Sequence, residues 1–321
     1  MVGIRDIAKV AGVSISTVSY ALNGSDKVTE ETRQRIEKIA SEMNYVPNMA
    51  AKALKRQETK IIAVYLSDYM GSFYGELLDG IKHGLQPYDY EMIVCSGKRS
   101  HLFIPERMVD GVIILDWTFE TEEIEKYGKL GYKLVTLDRE VEGDNLCHVL
   151  LDNIGGATLA IEKIVEQPTA EIHVVTGPEN SFDSMRRLEA TERELKRYGK
   201  EYHLHQGSFD AKSGKRIAEE IYLRMTSKPI SIFSFNDEMV IGMYDFFRRT
   251  ELKIGKDIQI IGFDNTYYGN IISPTIATIG FSKKRWGMVA VEKLMQLIKN
   301  EPTSNGLIYT SFIPGESFGE Q

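Results

Sequence analysis

From residue 60 to about 280 the chain alternates short apolar runs with longer amphipathic stretches, and this alternation limits the possible folds more than any other feature. The runs are IIAVYL (61–66), EMIVC (91–95), GVIIL (111–115), KLVTLD (133–138), HVLL (148–151), IHVVT (172–176), ISIFSF (230–235), IQIIGF (258–263) and TIATIG (275–280). Their length and β-branched content suit strands buried on both faces. Amphipathic stretches at 72–86, 155–166, 183–198, 211–226 and 237–250 lie between many of them. Strands that alternate with helices build parallel βαβ units. Roughly ten strands are many for one open sheet, so the pattern predicts two α/β lobes. The first changeover is expected at Asp152-Asn153 and a crossing back near 280. In such sheets ligands bind beyond the carboxyl ends of the strands.

Residues 4–45 have a different texture and read as three short helices. Ile4, Ile7, Ala8 and Ala11 fall at helical spacing, and Gly12 ends the first helix. Ser14 is placed to cap a second helix through about Leu22, and Thr29 a third whose Ile36, Ile39, Ala40 and Met43 form one apolar stripe. Two helices joined by a small turn residue suit a helix-turn-helix. The second helix would then carry a polar outer face of Ile15, Ser16, Thr17, Ser19 and Tyr20 toward base edges or phosphates in a major groove. The pattern alone reads equally well as a packed turn in an ordinary helical domain. A break at Tyr45-Val46-Pro47-Asn48 precedes MAAKALKRQETK, which is basic, helix-prone and too poor in apolar surface to fold by itself.

Charge distinguishes the two parts. The whole chain of 321 residues carries a net charge of −7. Residues 1–60 hold ten Lys/Arg against seven Asp/Glu, leaving +3 there and −10 on the remainder. A modestly basic head on an acidic body permits phosphate contacts by the head alone. With 42% hydrophobic and 26% charged residues the composition is that of a soluble globular protein. No apolar run reaches bilayer length, and MVGIRDIAKV has no signal-peptide core, so a cytoplasmic protein without a membrane partner is expected. Cys95 and Cys147, far apart and near apolar runs, read as reduced core residues.

Several segments carry a family likeness. IRDIAKVAGVSISTVSYALNG, VTEETRQRI and MNYVPNMAAKAL resemble the DNA-binding head of the lactose/galactose-repressor (LacI/GalR) family. The likeness continues in order through FYGELLDGI, VDGVIIL, VLLDNIGGA, VVTGP, FSFNDEMVIGM and IIGFDNT. It implies an α/β protein with an all-α helix-turn-helix headpiece (1–47), a hinge helix or linker (48–59) and a two-lobed, periplasmic-binding-protein-like effector and dimerisation domain (60–321). Lobe 1 would span about 60–151 and 281–306, and lobe 2 about 152–280 and 307–321.

The same resemblance assigns roles to positions. Ser14 caps the recognition helix, Ile15, Ser16 and Tyr20 take its reading positions, and Thr17, Ser19, Asn23 and Thr32 resemble backbone-contacting positions. Where Tyr20 stands the family often has Arg, and a tyrosine cannot grip guanine in the same bidentate way. Asn48, Ala51 and Leu54 match a hinge helix of the kind that enters the minor groove as a pair, Leu54 acting as the wedge. In the body, Phe73, Tyr74, Asp138, Arg187, Phe209, Asn236 and Asp264 match effector-binding positions. Such residues suit a sugar: acids and amides meet vicinal hydroxyls, arginine donates in a fork, and aromatics stack on ring faces. Asp237 reads as a helix cap before a ligand contact. Three departures stand out: SMRRLEAT lacks the Gly-aromatic that commonly follows the arginine, Phe281 replaces a common Gln, and 95–108 is several residues short.

The expected function is therefore a sequence-specific transcriptional repressor of a carbohydrate operon. It would act as a homodimer on a pseudo-palindromic double-stranded operator, with a small-molecule effector, a sugar, between the lobes. The residues leave open a regulator that uses a phosphoprotein corepressor, and a sugar-binding protein without a regulatory role. An enzyme is not expected. No GxGxxG or GxxxxGK[ST] phosphate loop and no nucleophile–base pair occurs, no cofactor is implied, and the six histidines form no metal-ligand pattern. The HLH at 203–205 reads as an exposed or edge strand.

Overall fold

The computed structural model describes residues 2–46, 58–69 and 71–319 and divides into two compact units, Met1–Thr59 and Lys60–Gln321. Asn48, Ala51 and Leu54, and with them the expected hinge, lie outside the described residues.

The first unit is built from α1 (Ile4–Ala11), α2 (Ile15–Leu22) and α3 (Glu30–Glu42). Gly12 ends α1 in the left-handed region at φ 64°, where a side chain would be strained. The Ser14 hydroxyl accepts from the Thr17 amide at 3.1 Å and opens α2. Thr29 does the same for α3 through the Thr32 amide at 3.3 Å. Ile7, Ala8, Ala11, Val18, Ala21, Ile36 and Ala40 form the core. This core is small, so the caps, worth about 1 kcal/mol each, weigh heavily in its stability.

The second unit holds two six-stranded sheets among the described residues. Sheet 1 runs β11-β5-β4-β3-β1-β2, formed by Gly306–Ile308, Leu146–Leu151, Leu134–Thr136, Gly111–Leu115, Ile61–Leu66 and Glu91–Cys95. Sheet 2 runs β12-β10-β9-β8-β6-β7, formed by Ser311–Ile313, Ala277–Gly280, Ile258–Asp264, Ile230–Ser234, Glu171–Thr176 and His203–Gln206. All ladders are parallel except β10 with β12. β9 is buried along its whole length, as expected of a strand covered on both faces. The HLH segment forms edge strand β7.

Helices α4 (Gly71–Leu85), α5 (Thr121–Lys129) and α11 (Lys283–Ile298) accompany sheet 1, and α6 (Asn153–Glu166), α7 (Phe182–Arg197), α8 (Ala211–Arg224) and α9 (Asp237–Phe247) accompany sheet 2. A short α10 (Tyr267–Ile271) follows β9. α4 and α11 cross so closely at Gly80 and Gly287 that a Cβ on either would strike the other backbone. The first two crossings fall at Asp152, which caps α6 through the Gly155 amide, and between β10 and α11. The third falls at 309–310 rather than 306/307. Ile308 is buried and pairs with Leu151 in sheet 1, so the chain leaves that sheet only after it.

The short segment after β2 folds as a 3-10 turn, Lys98–Phe103. His101 pins it: the ring is buried, stacks on Phe119 at 3.7 Å, and places Nδ1 3.1 Å from Glu123. No helix among the described residues is long and apolar enough to cross a membrane.

Candidate functional site

In the first unit, Ile15 (49% exposed) and Ser16 point outward from the first turn of α2, and no described side chain holds either. The neighbouring hydroxyls are shared locally. Ser14 and Thr17 lie 2.8 Å apart, and Thr29 and Thr32 2.9 Å apart. One proton of each pair remains for an outside acceptor, close to the positive ends of α2 and α3. Asn23 donates to the Ser19 carbonyl at 2.7 Å and closes α2. Tyr20 is half-buried, and the Lys27 ammonium rests 5.0 Å above its ring. Sequence reasoning counted Lys27 only as charge. Its place in the α2–α3 loop puts a cation where the tyrosine lacks one.

In the second unit the expected residues gather at the carboxyl ends of both sheets. Arg187 on α7 is only 3% exposed. Its Nε donates to Asn153 Oδ1 at 2.8 Å, its Nη1 to the Phe235 carbonyl, and its plane lies 3.6 Å from the Phe263 ring centre. Asn153 in turn donates to Asp183 at 2.7 Å, one helical turn before Arg187. Burial works against the guanidinium charge, and Asp183, Asp264 and Asp237 support it. Burial also pushes the Asp183 carboxyl up against the pull of Arg187 and Asn153, with Asp138 of the other lobe adding to the push.

Asp138, just beyond β4, is gripped bidentately by its neighbour Arg139 at 3.0 and 2.9 Å. Arg139 also donates to the Phe119 carbonyl at 2.6 Å and the Asp116 carbonyl at 2.7 Å, locking together the loops that follow β3 and β4. Arg139 was missed, although an acid–base dipeptide directly after a strand was its signal.

Asp264 ends β9 with φ 114°, followed by Asn265 at φ 53°. Two such residues in a row are strained. Lys283 holds the turn by donating to both carbonyls, at 2.6 and 3.0 Å. Asp264 is 8% exposed, and burial pushes its carboxyl up to about 7 despite Arg187.

The helix cap expected of Asp237 falls to Asn236. Asn236, in extended conformation, is the residue that caps α9: its Oδ1 accepts from the Met239 amide at 3.0 Å. Its Nδ2 donates to the Phe209 carbonyl at 2.9 Å, so the amide offers a ligand one N–H. Asp237 is already helical. It accepts from the Thr266 amide at 2.8 Å and the Thr278 hydroxyl at 2.7 Å, and burial pushes it up to about 6.

Aromatic rings line the same region. Phe73 meets Tyr74 at 5.2 Å, Trp286 at 6.3 Å and Phe281 at 6.4 Å. Phe281 is thus buried in this cluster, replacing an amide with a ring. The Tyr74 hydroxyl, hydrogen-bonded with Ser67, is pushed up to about 12 by burial and feels Asp68, Asp264 and Asp116. Phe209, at φ 62°, lies against Gly177, which has no room for a Cβ, and 6.0 Å from the Arg187 guanidinium.

A helix-turn-helix unit and a two-lobed α/β unit with a polar, aromatic-lined cleft define a DNA-binding transcriptional regulator rather than an enzyme. Residues 3–48 match the family described as bacterial regulatory proteins, lacI family, and residues 161–318 match the periplasmic binding protein-like domain. The solved structure of a sugar-binding transcriptional regulator (LacI family) from Enterococcus faecalis is 54% identical, covering 83% of this chain and all of its own, with a TM-score of 0.78. The ribose operon repressor of Haemophilus influenzae is 29% identical over 95% of this chain and 94% of its own. A lac repressor dimer bound to operator and an anti-inducer is 24% identical with a TM-score of 0.84 over 98% of both chains, a likeness of fold. The chain belongs to the LacI family.

Proposed function

We propose that the chain represses carbohydrate-utilisation genes in the cytoplasm, binding a pseudo-palindromic operator as a homodimer and a sugar between its lobes. The observation that carries this reading is the braced Arg187–Asn153–Asp183 unit beside a buried Asp264 carboxyl and an aromatic floor, in one chain with a helix-turn-helix. Ile15, Ser16 and Tyr20 read bases, while Ser14, Thr17, Ser19, Asn23 and Thr32 set register on phosphates. From sequence alone, Asn48, Ala51 and Leu54 of the 48–59 linker act at the operator centre. Phe73, Tyr74 and Phe209 stack on the sugar ring, and Arg187, Asp138, Asp264 and the spare N–H of Asn236 take its hydroxyls. The solved sugar-binding relative and the ribose operon repressor support the ligand class, and the lac repressor dimer on operator supports the assembly.

Sugar bound at both lobes changes the angle between them and, through residues 48–59, the spacing of paired reading helices. The test is a panel of sugars scored by melting temperature, which a ligand of the folded state raises by mass action. Binding sugars should then alter operator affinity in wild type. Arg187→Ala should retain operator binding and lose the response; a retained response would move the site elsewhere.

A further inference from the structure

Three histidines meet at the outer edge of sheet 2. In sequence His173 stands far before the HLH segment, so the three form no spaced motif. Parallel pairing brings them together: His173 of β6 lies opposite His203 of β7, and Val175 opposite His205. Side chains alternate along a strand, so His173, His203 and His205 share one face of the sheet. Two imidazoles from one strand and a third from its neighbour are the donor set of a three-histidine metal site.

The rings are already close. His173 Nδ1 lies 3.0 Å from His205 Nε2, and the His203 ring stacks on His173 with centres 4.9 Å apart. His173 is 3% exposed, and its far nitrogen, Nε2, has no hydrogen bond but faces Glu171 Oε2 at 3.4 Å. Glu171 is held in turn by the Thr226 amide at 3.1 Å and the Thr226 hydroxyl at 3.0 Å. Such an order surrounds ligating histidines: a fixed carboxylate keeps the proton on the far nitrogen and leaves the near lone pair for the ion. Burial holds His173 at about 4 and His205 below the ordinary histidine range, so both rings are neutral near pH 7. Glu220 on α8 adds a negative charge beside His205, which Arg216 and Arg224 of the same helix offset.

One proton lies between the two facing nitrogens. An ion takes its place when the His205 proton moves to Nδ1 and both near nitrogens present lone pairs. Zinc–nitrogen bonds of about 2.0–2.1 Å set tetrahedral ligands about 3.4 Å apart, so the pair opens by about 0.4 Å. Among the described residues no three donors converge as they stand. The third ligand comes from His203, which is exposed on the edge strand and turns about its side-chain bonds.

We propose that His173, His203 and His205 form a site for a divalent transition-metal ion of the zinc class, with Glu171 as a positioning residue and water in the fourth place. The ion ties edge strand β7 to β6 and stabilises the folded body. This site is independent of the sugar effector.

The test uses the full-length, tag-free protein, stripped with a chelator, at pH 7.5. Zn²⁺ is titrated by calorimetry and Co²⁺ by its visible absorption, which is intense in tetrahedral ligation. One ion should bind per chain, and Zn²⁺ should raise the melting temperature. His203→Asn changes an exposed ring, so the metal-free variant should melt as the wild type does. His203→Asn and His205→Gln should each weaken Zn²⁺ at least about 30-fold and abolish the cobalt colour. Glu171→Gln should weaken Zn²⁺ about 10- to 100-fold while keeping one ion per chain and the cobalt colour. Absence of saturable Zn²⁺ binding overturns the inference. So does Zn²⁺ affinity that survives His203→Asn, which leaves a chelate of two imidazoles, or His205→Gln, which moves the ion to other histidines.

Discussion

Asp264 is the residue where stability and function most clearly oppose each other. A carboxyl pushed up to about 7 by burial is more costly to ionise in the folded chain than in the unfolded one. Its favourable contribution is complete below the ordinary carboxylate range and is lost as pH rises through about 7. Asp237, pushed up to about 6, acts in the same direction. The ligand-free body should therefore melt at a lower temperature at pH 8 than at pH 5.5. Asp264→Asn should raise the melting temperature at pH 8 by about 4 °C, on the order of 2 kcal/mol, with a smaller effect at pH 5.5. Equal shifts at both pH values would show that burial does not hold the Asp264 carboxyl above its ordinary range. Arg187 is the opposite case: Arg187→Ala leaves the half-buried Asp183 without its cation and the Asn153 side-chain oxygen without its donor, and should cost about 3 kcal/mol in chemical denaturation.

Among the elements, α2 separates cleanly into a structural and a reading face. Val18 and Ala21 are buried, whereas Ile15 and Ser16 are free. Substituting Ile15 and Ser16 together should leave the head's melting within about 0.5 kcal/mol while changing the operator bases selected from random duplexes. Ser14→Ala, which removes the cap, should cost about 1 kcal/mol and weaken binding to all duplexes alike. Unchanged base preference in the first variant would move the reading surface away from this turn.

The same elements mark how far sequence reasoning reached. Periodicity and caps placed α1–α3 because Gly12, Ser14 and Thr29 act over three or four residues. The strands were found because their apolar runs are continuous. What escaped depends on contacts made at a distance. Arg187 was recognised, but its brace on Asn153, thirty-four positions away in sequence, was not. The cap of α9 was placed on Asp237, one position late, because both residue types cap helices and only the backbone angles tell which is outside. The third crossing was placed early because β11 is three residues long and half exposed, leaving little apolar signal.

In the whole molecule, the two lobes are joined by three crossings, and charges at their strand ends act on one another, Asp138 on Asp183 and Asp264 on Tyr74. A ligand that satisfies groups on both sheets at once favours one lobe arrangement by its difference in affinity between arrangements. In the proposed repressor this difference is transmitted to the operator. The most direct measurement is fluorescence anisotropy of the full-length chain on an operator selected from random duplexes, at fixed salt. It is made with and without a neutral sugar that raises the melting temperature. Operator affinity should change at least about tenfold, and sugar affinity by the same factor when operator is present. A sugar that binds the cleft while operator affinity stays the same would contradict it.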